Sequence, residues 1–253
     1  MKLPTANLSL ACWPGFRHEE AARQMASAAT EPMFGRLSTA HVQLVPQSYG
    51  VLTEDLADRL WAAFADTQFR LHANVRVLRQ HRLANLSGYD THGDWFRQAA
   101  RISQRLAAPA YTAHPGLRAE ASMARVIDNA RRCADLFGCP VGIEGQYPSN
   151  GAPLLVSSWQ EYRQVFESGV SYAIDLSHLN ILATRSGIRD DALLRDMLVS
   201  EQCIEVHVSD NDGRGDWHQV CEHPLWWAPL LAHLHPKAVV FSEGNHRRRR
   251  THP

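Results

Sequence analysis

Residues 119–145 read AEASMARVIDNARRCADLFGCPVGIEG. Met123, Val126, Ile127, Ala130, Ala134 and Phe137 recur at the i, i+3, i+4 spacing that puts apolar side chains on one face of a helix. The spacing predicts a helix over 119–137. Gly138 follows where a left-handed C-cap residue is favoured. The period then changes: Pro140–Gly145 is a short apolar run of strand type, and it closes on an acid, Glu144. A helix, a glycine stop and an apolar strand with a charged end make up one α/β unit.

The same alternation extends in both directions. Strand-type runs are Asn7–Trp13, Ala40–Pro46, Phe69–Val75, Ala108–His114, Pro140–Gly145, Ser171–Leu176, Cys203–Ser209 and Ala238–Glu243. Helix-type runs lie near 17–29, 53–66, 92–107, 119–137, 158–168, 189–201 and 224–235, with Thr53 placed to cap the second and Glu54 and Asp55 acidic in its first turn. Strands alternating with helices imply a parallel sheet with helical crossovers. Eight strands in 253 residues favour closure into a barrel. An open doubly wound sheet would carry a glycine-rich phosphate turn after an early strand, and the sequence has none. Only ten residues follow Glu243, too few for an ordinary eighth helix. The expected fold is therefore α/β, a single (β/α)8-type TIM barrel without a regular eighth helix, that end being open or covered by a partner chain. The barrel domain is expected over 1–246. Residues 247–253 form an Arg-rich tail, simplest as a solvated segment; contact with a phosphate or an acidic peptide is the alternative.

Composition narrows the function classes. Apolar residues are 45% and charged residues 21%, as in ordinary globular proteins. Lys+Arg and Asp+Glu are both 26, so the formal charge is zero, which argues against a nucleic-acid binder that relies on a broadly basic face. No apolar run reaches the 18 residues of a membrane span, and MKLPTANLSLACWPG reads as a first strand rather than a signal peptide. The five cysteines form no C-x-x-C, so neither a disulfide framework nor a thiolate zinc site is expected, and a cytoplasmic location is. Histidine is abundant, at 14 residues, and its placement carries most of the functional information.

Histidines and acids gather at strand ends. His72 and His114 end strand-type runs three and four, and Glu144 ends the fifth. Asp175 ends the sixth with His178 just beyond, and His207 lies in the seventh, whose following loop holds Asp216 and His218. Glu243 ends the eighth. In a barrel these ends converge on one face. Glu144, Asp175 and Glu243 each close an apolar strand, and three carboxylates brought to one mouth repel each other unless a cation lies between them. The donors are nitrogen and oxygen only, a set that suits iron, zinc or manganese. Nine candidate ligands suit two or three ions, and bridging carboxylates can hold adjacent ions on a shared substrate atom. Asp216 and His218 form a compact pair able to hold one ion with His178. Asn180, Asp210, Asn211 and Asp212 are candidates for orienting these ligands or for ordinary turns. Arg76, Arg79 and Arg82 face either an acidic substrate or solvent.

The order His, His, Glu, Asp-x-x-His, His, Asp-x-His, Glu over residues 69–245 resembles the xylose isomerase-like TIM-barrel superfamily. That superfamily includes endonuclease IV, sugar isomerases and epimerases, and the multinuclear non-heme iron enzymes that oxidise peptides. The resemblance implies that His72, His114 and Glu144 hold one ion. Glu144 bridges to a second ion held by Asp175, His207 and Glu243, and His178, Asp216 and His218 hold a third. Glu144, Asp175 and Glu243 are then the catalytic carboxylates. After the Asp-x-His pair the chain reads QVCEHPLWWAPLLAHL, and with FSEGN this is more similar to the iron-dependent enzymes than to endonuclease IV. The resemblance thus implies oxygen-dependent oxidation of a small peptide or thiol substrate, which a partner protein could present. The alternatives are a divalent-metal sugar or sugar-phosphate isomerase or epimerase, and a phosphodiester hydrolase. Trp226 and Trp227 are expected to be packing residues rather than substrate contacts.

Overall fold

The computed structural model describes residues 3–27, 29–149 and 151–247. Eight parallel strands close a barrel in the order β1 (Ala6–Ser9), β4 (Ser38–Leu44), β5 (Gln68–Leu71), β6 (Tyr111–Ala113), β7 (Val141–Glu144), β8 (Tyr172–Asp175), β9 (Cys203–Val208) and β10 (Val239–Ser242). β10 returns to pair with β1 through Ala6 opposite Val240 and Leu8 opposite Ser242. A small antiparallel hairpin, β2 (Thr30–Glu31) and β3 (Gly35–Arg36), is inserted between β1 and β4. The crossovers carry α1 (His18–Arg23), α2 (Glu54–Ala63), α3 (Gly93–Arg105), α4 (Met123–Phe137), α5 (Trp159–Glu167), α6 (Leu176–Ser186) and α7 (Asp191–Val199). Among the described residues no helix is long and apolar enough to cross a membrane.

Local chemistry sets these boundaries. Thr53 accepts a hydrogen bond from Leu56 N at 3.2 Å, and Ser122 one from Arg125 N at 3.3 Å, which fixes the starts of α2 and α4. Gly138 stops α4 at φ +70°, a conformation that costs a residue with a Cβ. The apolar face of α4 docks on the barrel, where Phe137 stacks on Tyr111 with ring centres 4.4 Å apart. α3 packs beside it through Trp95 and Phe96, both fully buried.

Three expectations change. The run at 17–29 is a short α-helix followed by a 3₁₀ turn at Gln24–Ser27. The run at 224–235 is only a 3₁₀ helix, Ala228–His233; an α-helix begun at 224 would need the N–H that Pro229 lacks. A helix unforeseen in the sequence, α6, begins directly at β8. Asp175 caps it, its Oδ1 accepting from Ser177 N at 2.7 Å and His178 N at 3.0 Å. Past Glu243 no described residue is helical, as expected. Arg247, the first of the four arginines, donates to Pro14 O at 2.6 Å and lies 4.6 Å from the Phe16 ring centre, so it folds back on the barrel. The rest of the tail, 248–253, lies outside the described residues.

Candidate metal centre at the barrel mouth

Side chains on a strand alternate, so Glu205 and His207 share one face of β9, and both are fully buried. That face is the barrel interior. Glu205 reaches Arg70 on β5 at 3.0 Å, Thr112 on β6 at 2.6 Å and Gln43 on β4 at 3.3 Å. This polar layer is the floor of the site. His207 stands on it: its Nε2 donates to Glu205 Oε2 at 3.1 Å, which turns Nδ1 toward the mouth, where it can ligate an ion once its proton has left.

The nine residues marked in the sequence converge above this floor. His72 Nε2 lies 3.3 Å from Glu144 Oε2 and 3.5 Å from Glu243 Oε1. His114 Nε2 is 3.5 Å from Glu144 Oε2. His207 Nδ1 is 3.6 Å from Glu144 Oε1 and 3.9 Å from Glu243 Oε1. His178 Nε2 is 3.4 Å from both Asp175 Oδ2 and Asp216 Oδ2. His218 closes the ring, Nε2 to Asp216 Oδ2 at 3.0 Å and Nδ1 to Glu243 Oε2 at 3.6 Å. Two donors on one tetrahedral ion about 2.1 Å away stand roughly 3.4 Å apart, so these separations would suit ligands around an ion.

Donor chemistry points the same way. Glu144 Oε2, His207 Nδ1 and His218 Nδ1 are buried, and none has a hydrogen-bond partner despite its close neighbours. Such atoms are costly to bury unless something bonds them. Compact donor sets form at His72, His114 and Glu144, at His72, His207 and Glu243, and at Glu144, Asp175 and His178. The first is the set the family resemblance implied. The others differ from it: His72 is shared between two sets, and His178 joins Glu144 and Asp175 as well as Asp216.

The neighbours of the mouth hold these ligands in place. His178 Nδ1 donates to Gly145 O at 2.9 Å, which turns Nε2 toward the two aspartates, where a proton or an ion can lie between them. Asp175 divides its oxygens, Oδ1 capping α6 and Oδ2 facing His178. Ser177 Oγ donates to Asp216 Oδ1 at 3.0 Å. Asn211 donates to Ser177 O, and Asn180 bonds Asn211 at 2.8 Å while accepting from Trp226 Nε1 at 2.8 Å. Asn180 and Asn211 thus tie α6 to the loop that bears Asp216. Trp226 braces this network, and Trp227 is buried. His218 has φ +48° and Asn74 φ +61°, left-handed values that are uncommon outside glycine and gather at functional sites. Asn74 lies 3.4 Å from His114 Nδ1. Arg82 is held at Asp94 by two bonds near 3 Å.

Electrostatics express a shortage of positive charge. Burial lowers the His72 imidazole to about 3. Burial also opposes charge on His178, His207 and His218, yet the facing carboxylates prevail. They hold His178 up at about 10, His218 at about 9 and His207 well above its usual value. Glu144 is buried, but the surrounding His72, His114 and His207 draw its carboxyl well below the usual range. Burial pushes Asp175 up and Glu243 up to about 7. Imidazoles carrying protons between four carboxylates do the work that cations would do in their place.

The sequence did not reveal Glu205, Arg70, Thr112 and Gln43. Their one visible signal is the two-residue step from Glu205 to His207.

No protein-family model matches the sequence, and neither does any curated protein. Solved structures do match. A D-tagatose 3-epimerase-like protein aligns with TM-score 0.67 at 14% identity, over 97% of this chain and 92% of that one. An AP endonuclease, family 2, from Brucella melitensis aligns with TM-score 0.64 at 15% identity, over 98% and 95%. A xylose isomerase domain protein from Alicyclobacillus acidocaldarius aligns with TM-score 0.63 at 13% identity, over 98% and 91%. The chain has the closed eight-stranded TIM-barrel fold that these structures share.

Proposed function

We propose that this protein is a divalent-metal-dependent isomerase or epimerase that moves a proton on a small polyhydroxylated carbonyl substrate. One observation carries the reading. Glu144 and Glu243 both lie within 4 Å of His72 and of His207, which brings two carboxyls to one mouth around the same imidazoles. Two carboxyls at one mouth can serve as a paired base and acid. Glu144, Asp175, His207 and Glu243 would hold the ion that the substrate meets. When bound, that ion polarises the substrate oxygens and makes the adjacent C–H more acidic. One of the two carboxyls would accept the carbon-bound proton, and the other would return a proton to the opposite face of the substrate. His207, fixed on Glu205, keeps both at their distance. The epimerase and isomerase names of the structural neighbours support this reading.

A second reading, phosphodiester hydrolysis, is favoured by the donors a single ion leaves over: His72, His114, His178, Asp216 and His218. The AP endonuclease neighbour agrees with it, and the zero net charge weighs against it. The neighbours' names give the oxidative reading no support.

The test is incubation of manganese-, cobalt- or zinc-loaded protein with a panel of ketoses in deuterium oxide, followed by NMR. The expected result is deuterium at one carbon with formation of the epimer or isomer. Absence of exchange together with hydrolysis of an aryl phosphodiester would overturn the proposal in favour of the second reading. Substrate-dependent oxygen uptake would overturn both.

A further inference from the structure

Beside the mouth, and separate from the nine residues, three distant parts of the chain meet. Cys12 follows β1 in a 3₁₀ turn, Glu31 lies in the hairpin, and His246 follows β10. One donor atom from each lies within 4.8 Å of the others. A backbone bond from His246 N to Cys12 O at 2.9 Å brings the first and last together. Cys12 is fully buried and Glu31 is 1% exposed.

The polar groups around this cluster are used unevenly. Glu31 Oε1 accepts from Ser242 Oγ at 2.5 Å and lies 3.1 Å from His246 Nε2. Glu31 Oε2 is buried and has no partner. The Cys12 thiol donates to Ser242 O at 3.4 Å. A buried carboxylate with one oxygen unbonded, next to a buried thiol and an imidazole, is a costly arrangement as it stands. A divalent cation removes the cost. Binding releases the Cys12 proton to solvent and forms a metal–sulfur bond. Thiolate and carboxylate then neutralise the ion's two charges.

We propose that Cys12, Glu31 and His246 form a second metal site, a sulfur–oxygen–nitrogen site for a zinc-class divalent ion. Three protein donors leave one position of a tetrahedral ion open. The thiolate makes this site softer than the barrel mouth, where every donor is nitrogen or oxygen, so the two sites differ in the metals they prefer. No local motif announces such a site, because its members are 19 and 215 positions apart in sequence. The site ties the hairpin and the start of the barrel to the strand end that bears Ser242 and Glu243. It does not depend on the proposed function.

Cobalt(II) titration of the metal-free full chain tests it. Cobalt bound to a thiolate gives an intense near-ultraviolet charge-transfer band that nitrogen and oxygen ligands do not give. The wild type is expected to show the band. Cys12→Ser should abolish it, and His246→Ala should weaken cobalt affinity in it at least tenfold. Glu144→Ala should keep it, which separates this site from the mouth, and so should Cys221→Ser. No band in the wild type, or a band that survives Cys12→Ser, overturns the proposal. If Cys12→Ser does not fold, His246→Ala decides, because His246 is only half-buried: an unchanged band then overturns it.

Discussion

Glu205 gives the sharpest quantitative test of how the site is built. It is a fully buried carboxylate whose charge is matched by Arg70 at 3.0 Å, with Thr112 at 2.6 Å and His207 at 3.1 Å as further donors. Replacing Glu205 by Ala leaves the Arg70 guanidinium buried without its partner, and breaking such a pair costs about 3–5 kcal/mol. Domains of this kind are stable by roughly 5–15 kcal/mol, so the loss is a large share of the total. At about 2–4 °C per kcal/mol for a chain of this size, the melting temperature falls by on the order of 10 °C. Glu205→Gln keeps the volume but offers one amide oxygen where four donors met a carboxylate. His207 then loses its anionic support, and metal affinity at the mouth should drop roughly 10–100-fold. Replacing both members of the pair, Arg70→Met with Glu205→Leu, should restore most of the stability and none of the affinity. Denaturant unfolding of the metal-free variants measures the first effect, and chelator competition measures the second. A Glu205→Ala stability within about 1 kcal/mol of wild type would refute the electrostatic argument. Unchanged metal affinity in Glu205→Gln would refute the claim that the floor tunes His207.

Three further outcomes are expected. Glu144→Ala removes the carboxylate that faces four imidazoles, so bound metal measured by mass spectrometry should fall and turnover should vanish. Gly145→Ala would place a Cβ 2.2 Å from the Tyr162 ring, directly after Glu144, and overpacking of this kind costs about 1–3 kcal/mol, read by thermal unfolding together with metal affinity. His18 is held down to about 4, by burial first and by the Arg76 charge second. The unfolded chain takes up this proton near pH 6.5, so the stability contributed by neutral His18 is complete above that pH. It is lost as pH falls through 6.5 toward 4, a change of on the order of 3 kcal/mol. His18→Leu should remove that part of the acid sensitivity in urea unfolding followed against pH.

The fold was legible because its signal repeats. Apolar strands and amphipathic helices alternate throughout, and Thr53 and Gly138 mark boundaries by mechanisms that act within a few residues. The mouth was legible for a related reason: parallel strands deliver their last residues to one face, so His72, Glu144, Asp175 and Glu243 meet once the barrel closes. What escaped depends on contacts across the lumen or between distant segments. Glu205 finds Arg70 and Thr112 only in three dimensions, and Cys12 finds Glu31 and His246 only after the first and last strands pair. The helix α6 was a different failure. Its cap residue, Asp175, and its closing Gly187 were both in view, but Asp175 was read as a ligand alone, whereas its two oxygens serve both purposes.

The central claim is that the nine residues at the barrel mouth hold metal ions. Anomalous diffraction from crystals of the metal-loaded protein, recorded on either side of the metal absorption edge, tests it directly. The account predicts at least one ion peak about 2.0–2.3 Å from donors of the mouth, contacting Glu144. A mouth without an anomalous peak, its carboxylates hydrogen-bonded directly to the histidines, would contradict it.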